Sequence, residues 1–121
     1  MLNCLFVGLG GFIGAVMRYA LGLIPLKNPQ GFPIITLLIN VVGSLAIGLI
    51  VLWAAKNSNL DSRLILFLKV GICGGFTTFS TFSLETAGLI KSGSILTAVI
   101  YIVVSVAAGI IAAMLPQIIT K

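Results

Sequence analysis

"GGFTTFSTFSLE" occupies residues 74 to 85: two glycines, five hydroxyl side chains, three phenylalanines and the only glutamate of the chain. It lies inside an apolar stretch, Leu64 to Ile90, whose one other charge is Lys69. Hydrocarbon satisfies none of these polar groups, so the fold must turn them towards protein, water or an ion.

The rest of the chain makes a lipid setting the first reading. Of 121 residues 60% are hydrophobic and 7% charged, with no histidine. A soluble domain is about 25% charged, so the composition belongs to the membrane class. Leu2 to Leu26 carries one charge, Arg18; Pro33 to Ala55 and Ser94 to Ile118 carry none. Each stretch reaches the ~20 residues that a spanning helix needs. Turn residues fill the breaks: Pro25, Lys27, Asn28, Pro29 and Gly31; then Lys56, Asn57, Ser58, Asn59 and Asp61; then Lys91, Ser92 and Gly93. The pattern predicts one all-α membrane domain of four transmembrane helices, over about residues 2–26, 33–55, 64–90 and 94–118, with no room in it for a soluble domain.

The first span reads as a retained helix. It lacks the basic leading region of a signal peptide and its apolar part is longer than a signal needs. Cys4 lies too near the start for lipidation after a signal. Cys4 and Cys73 give no disulfide framework and read as small apolar side chains. The seven cations are scattered rather than clustered, which gives nucleic-acid binding no support.

Orientation follows the distribution of Lys and Arg. Four spans place Lys56, Arg63, Lys69 and Lys121 on one side and Arg18, Lys27 and Lys91 on the other, a four-to-three split. So weak a bias is compatible with insertion in both directions, and equally with one orientation fixed by other cues. Dual insertion would give an antiparallel pair with a two-fold axis in the membrane plane, the geometry of inverted repeats. Four helices enclose little space for a polar path; eight could do so. Gly10 with Gly14, Ser44 with Gly48, and Ser105, Gly109 and Ala113 recur at the spacing of close helix packing.

In the third span Gly71, Gly74 and Gly75 precede the hydroxyls, which predicts a helix broken near Gly74–Ser80. Carbonyls freed by a break can bind a cation. Beyond it Phe79 and Phe82 share a face; Thr77, Ser80 and Thr81 make one hydroxyl face, and Thr78, Thr81 and Glu85 another. Such hydroxyls also bond their own carbonyls one turn back. Asn40 brings an unmet amide to the middle of the second span, and Tyr101 and Ser105 lie one turn apart on the fourth. Arg18 and Glu85 are ionisable groups in or near span ends, where function is the default hypothesis, although Arg18 could instead snorkel to the interface.

The inventory argues against an enzyme. It holds no His or Cys cluster for a transition metal, no nucleophile–histidine pair, and only one Glu and one Asp. Neutral donors and positive ring edges suit an anion better than a cation. The residues alone point to a membrane pathway for a small anion.

"GGFIGAVMRY" at 10 to 19, "TLLINVVGSLAIG" at 36 to 48 and "GICGGFTTFSTFSLE" at 71 to 85 resemble the signatures of the fluoride channel family (Fluc, also called CrcB). The resemblance runs over essentially the whole chain. It implies a multi-pass protein of the prokaryotic inner membrane, an antiparallel dual-topology homodimer whose two pores let fluoride leave the cell passively. It also implies a structural sodium ion, Na+, at the dimer interface, bound by the carbonyls of Gly74 and Thr77. Phe79 and Phe82 match the family's pore phenylalanines and Asn40 its pore asparagine. Ser80, Thr81, Tyr101 and Ser105 match its hydroxyl track, and Arg18 matches the arginine of the first motif. One turn beyond Ser105 this chain has Gly109, a departure from the track. A small four-span exporter of cationic compounds is a rival reading, but its chemistry needs a carboxylate in the first span, which here has none. A non-transporting assembly subunit is the other.

Overall fold

The computed structural model describes residues 1–26 and 31–120; Lys27, Asn28 and Pro29 of the first turn, and Lys121 of the charge count, lie outside the described residues. Among the described residues all regular structure is helical: α1 (Leu2–Gly22), α2 (Ile34–Lys56), α3 (Ser62–Ile65), a π-helical stretch (Leu66–Cys73), α4 (Gly74–Phe76), α5 (Phe79–Lys91) and α6 (Ile95–Ile119). Four runs are long and apolar enough to cross a membrane: Leu2–Gly22, Ile34–Lys56, Ser62–Lys91 and Ile95–Ile119. The four-span, all-α reading holds.

The first helix ends earlier than the apolar pattern suggests, at Gly22 rather than residue 26. Leu23 and Ile24 turn back onto the carbonyls of Ala20 and Leu21. Pro25 follows, with no amide to give and a ring that pushes Ile24 out of helical geometry. At the second turn Asp61 caps α3 by accepting from the Arg63 amide at 2.9 Å.

α1 packs on the π-helical stretch and α4, while α2 packs on α6. As the spacing predicts, small residues make both contacts. A side chain at Gly10 would run into Phe67 O, one at Gly14 into Ile72 O, and one at Gly48 into Ala113 O. A Cβ at Gly75 would meet Gly11 O at 2.5 Å. Backbones approach this closely where lipid offers no hydrophobic drive and dispersion must hold the helices.

The third span is broken, but not by its glycines. Gly74 and Gly75 are helical within α4. The chain becomes extended at Thr77 (φ −79°, ψ 157°) and Thr78 (φ −149°, ψ 119°), and helix resumes at Phe79. Gly71 and Gly75 serve the contact with α1 instead. Cys4 is exposed and Cys73 buried, and both are free.

Large apolar side chains remain uncovered over much of the surface, among them Phe12 on α1 and Leu96 and Ile119 on α6. Water would not tolerate so much continuous apolar surface. The protein is a multi-pass membrane protein, and acyl chains meet that surface.

Candidate functional site

The break in the third span is held by α2. Asn40 Oδ1 accepts from the Thr78 amide at 2.8 Å, and Asn40 Nδ2 donates to Thr78 O at 3.1 Å. The side chain thereby satisfies both backbone groups that the break exposes at Thr78. Thr78 in turn caps α5, its Oγ1 accepting from the Thr81 amide at 3.2 Å. Thr77 Oγ1 donates back to Cys73 O at 2.9 Å, the one-turn bond expected of membrane hydroxyls.

Two carbonyls are left over by this pattern. In an unbroken helix Gly74 O would take the amide of Thr78, and Thr77 O that of Thr81. Those amides go to Asn40 Oδ1 and Thr78 Oγ1. Gly74 is exposed, and no atom lies within 4 Å of a Cβ built there.

Beside the break lies an open groove of about 370 Å³ between α2, α4, α5 and α6. Asn40 and Ser44 line it from α2, Phe79 and Phe82 from α5, and Ser105 and Gly109 from α6. Among the described residues that line it none carries a charge. The Phe79 and Phe82 ring centroids are 5.7 Å apart, the spaced pair that the sequence predicts. Phe79 is 78% exposed. Asn40 keeps its second N–H, since one of two goes to Thr78 O. Ser105 Oγ is buried with no hydrogen-bond partner.

A second, smaller cleft of about 220 Å³ is lined by Arg18 and Tyr19 of α1, Thr36 of α2, and Thr78 and Thr81. Thr78, at the break, borders both openings. Arg18 does not merely reach for an interface: its Nε donates to Gly75 O at 3.2 Å, tying α1 to α4.

The structure distributes the hydroxyls differently from the faces drawn from the sequence. Ser105 lines the groove, but Tyr101 is not among the lining residues. Tyr101 is fully buried, stacked between Phe32 and Phe82 at 5.5 and 5.0 Å, and its hydroxyl donates to Glu85 Oε1 at 2.8 Å. Thr36 Oγ1 donates to Glu85 Oε2 at 2.9 Å. Glu85 is thus met by α2 and α6, and shares no hydrogen bond with Thr78 or Thr81. Thr81 opens onto the Arg18 cleft, and Ser80 is exposed with its hydroxyl 3.4 Å from that of Thr78.

Three participants escaped the sequence reading. Thr78 carried a helix-start signal, a threonine ahead of a resumed helical pattern, but was placed on a hydroxyl face. Ser44 was absorbed into the packing motif with Gly48. Nothing local marks Thr36 as the partner of a glutamate 49 positions away.

The family model described as "CrcB-like protein, Camphor Resistance (CrcB)" matches residues 5–116. Among curated relatives, a protein of Methylobacterium sp. (strain 4-46) is 48% identical over 91% of this chain and 89% of its own length. One of Ruminiclostridium cellulolyticum is 48% identical over 88% of this chain and 83% of its own. One of Azobacteroides pseudotrichonymphae genomovar. CFP2 is 40% identical over 100% of this chain and 98% of its own. All three carry the name "Fluoride-specific ion channel FluC". With the match running through all four spans and the broken third one, this chain belongs to the CrcB family.

Proposed function

We propose that the chain forms a fluoride-specific ion channel that lets fluoride leave the cell passively, in the inner membrane of a prokaryote. The observation that carries this is the uncharged groove in the membrane-spanning bundle, lined by the Asn40 amide, by hydroxyls and by the Phe79 and Phe82 rings. The names of the relatives agree with it.

Fluoride is small and holds its water strongly, so a pore must replace that water with donors at fixed positions. Asn40 is fixed by its two bonds to Thr78, and its second N–H is the donor left for an ion. Ser105 adds an uncommitted hydroxyl. Thr77 does not, because its one hydroxyl proton goes to Cys73 O. The Phe79 and Phe82 edges add weak positive potential and narrow the space against larger anions. The chemistry that this lining suits is conduction.

The functional unit in this reading is an antiparallel homodimer. The exposed face around Gly74, Phe79 and Ser80 supports it, because a second copy would close the groove there. The four-to-three charge split supports insertion both ways. The freed carbonyls of Gly74 and Thr77 fit a hard cation, as do the unwound carbonyls of other membrane transporters; they are the groups that would hold sodium. Bound there, sodium supplies a fixed positive charge with no titratable group.

Liposomes carrying only this protein, loaded with fluoride and diluted into fluoride-free medium, test the reading. Rapid fluoride efflux with little chloride efflux is expected. No efflux would leave an assembly subunit, and efflux of cationic compounds driven by a proton gradient would leave an exporter.

A further inference from the structure

We propose that Ser44 of α2 is a fluoride-binding residue in this chain, standing in for the hydroxyl missing from α6 at Gly109. The inference rests on the channel reading above and deepens it.

Four positions make the inner wall of the groove. Asn40 and Ser44 are one turn apart on α2; Ser105 and Gly109 are one turn apart on α6. Both pairs therefore present along the same direction, side by side, because α2 and α6 pack against each other. Three of the four carry a polar side chain, and Gly109 carries none. An anion moving along α6 from Ser105 meets its next possible donor one turn on, and finds only backbone there. Backbone amides inside a helix are already taken by the carbonyls one turn back.

Ser44 fills that gap from across the helix pair. The nearest atom to a Cβ built at Gly109 is Ser44 Oγ, at 3.7 Å. The α2 hydroxyl thus lies beside the place where a residue 109 side chain would begin. The missing side chain also leaves the room an ion needs next to that hydroxyl. The unpartnered Ser105 Oγ, one turn away, shows that this wall keeps donors free for something other than protein. Ser44 does more than pack against α6, since it also lines the groove, whereas Gly48, which packs on Ala113, does not.

The test is a rescue across helices. Ser44→Ala, Gly109→Ser and the double variant Ser44→Ala/Gly109→Ser are purified, checked for dimer retention by size exclusion, and assayed for fluoride efflux from liposomes. Ser44→Ala is expected to lower efflux roughly tenfold, the scale of one lost hydrogen bond to a charged species. A Cβ at residue 109 meets its nearest atom at an ordinary 3.7 Å, and in the double variant Gly109→Ser is expected to restore most of the flux. A packing role alone gives no such rescue. Ser44→Thr, which keeps the hydroxyl, is expected to stay near the parent. Ser44→Ala with parental flux, or a dimeric double variant no better than Ser44→Ala, overturns the assignment while the channel reading stands. A parent that conducts no fluoride overturns both.

Discussion

Asn40 grips Thr78 by both ends of its peptide group, accepting from N–H at 2.8 Å and donating to C=O at 3.1 Å. A residue that the sequence marks as a lone polar group in lipid is therefore also the clamp that keeps the third span open. Its structural duty and its proposed duty towards an ion use different N–H bonds of one amide.

Asn40→Asp takes away both N–H bonds at once. The aspartate still accepts from the Thr78 amide but can no longer donate to Thr78 O. It also sets a negative charge on the groove. Two like charges 4 Å apart repel by about 4 kcal/mol at an effective dielectric near 20, enough to halt anion entry. Efflux is expected to fall to background with the dimer retained. Asn40→Ala, which orphans both backbone groups, is expected to destabilise the protein by roughly 1–3 kcal/mol. Efflux and thermal unfolding in detergent check the pair.

Phe79 and Phe82 should differ in stability and agree in function. Phe79 is 78% exposed, whereas the Phe82 ring lies 5.0 Å from that of Tyr101. Both variants lose the Phe79–Phe82 pair, with centroids 5.7 Å apart; Phe82→Ile also loses the pair with Tyr101 and is expected to cost about 0.5–1.5 kcal/mol more than Phe79→Ile. Both are expected to cut fluoride efflux at least tenfold. Parental flux from both variants would move the path elsewhere.

The two adjacent glycines of the third span give opposite expectations. Gly75→Ala drives a methyl group to 2.5 Å from Gly11 O and is expected to lower thermal stability by several degrees or prevent folding. Gly74→Ala meets nothing within 4 Å in its own chain, so any loss of the proposed dimer in that variant reports on the face proposed to meet a second copy. The same face is proposed to hold sodium. Exchange into rigorously sodium-free potassium or lithium medium is expected to abolish flux or weaken the dimer, and unchanged flux and dimer stability would remove the sodium proposal.

Two lysines added to the turn around Asn57 and Ser58 should bias insertion one way and lower efflux. Co-expression with an oppositely biased copy is expected to restore it. Full activity from one biased form alone counts against the antiparallel dimer.

The four spans were legible because lipid imposes one rule, that long apolar runs become helices. Phe79 and Phe82 were legible as a pair because helical spacing fixes their separation. The break was legible to within Gly74–Ser80, where Thr77 and Thr78 are extended, but its cause was not. The glycines look like the weak point, yet Gly71 and Gly75 are occupied by contact with α1, Gly74 is helical, and the break is held by a side chain 38 positions away. Tyr101 shows the same limit. Its spacing from Ser105 is right for a shared face, but only the packed bundle reveals that its hydroxyl is committed to Glu85. Local pattern predicts what a residue could offer, and tertiary pairing decides what it has left.

The π-helical stretch Leu66–Cys73 has a consequence for how the third span can change. A wider winding accommodates residues that a standard helix would have to express as rotation. Rewinding these eight residues as a standard α-helix, which turns about 100° per residue, would rotate everything downstream about the helix axis. Gly75 would swing away from Gly11, Thr78 out of reach of Asn40, and the Phe79 and Phe82 rings off the groove, although every one of those residues would still be present. The stretch acts as the phase-setter of the span, so its winding is constrained more tightly than the identity of most side chains within it.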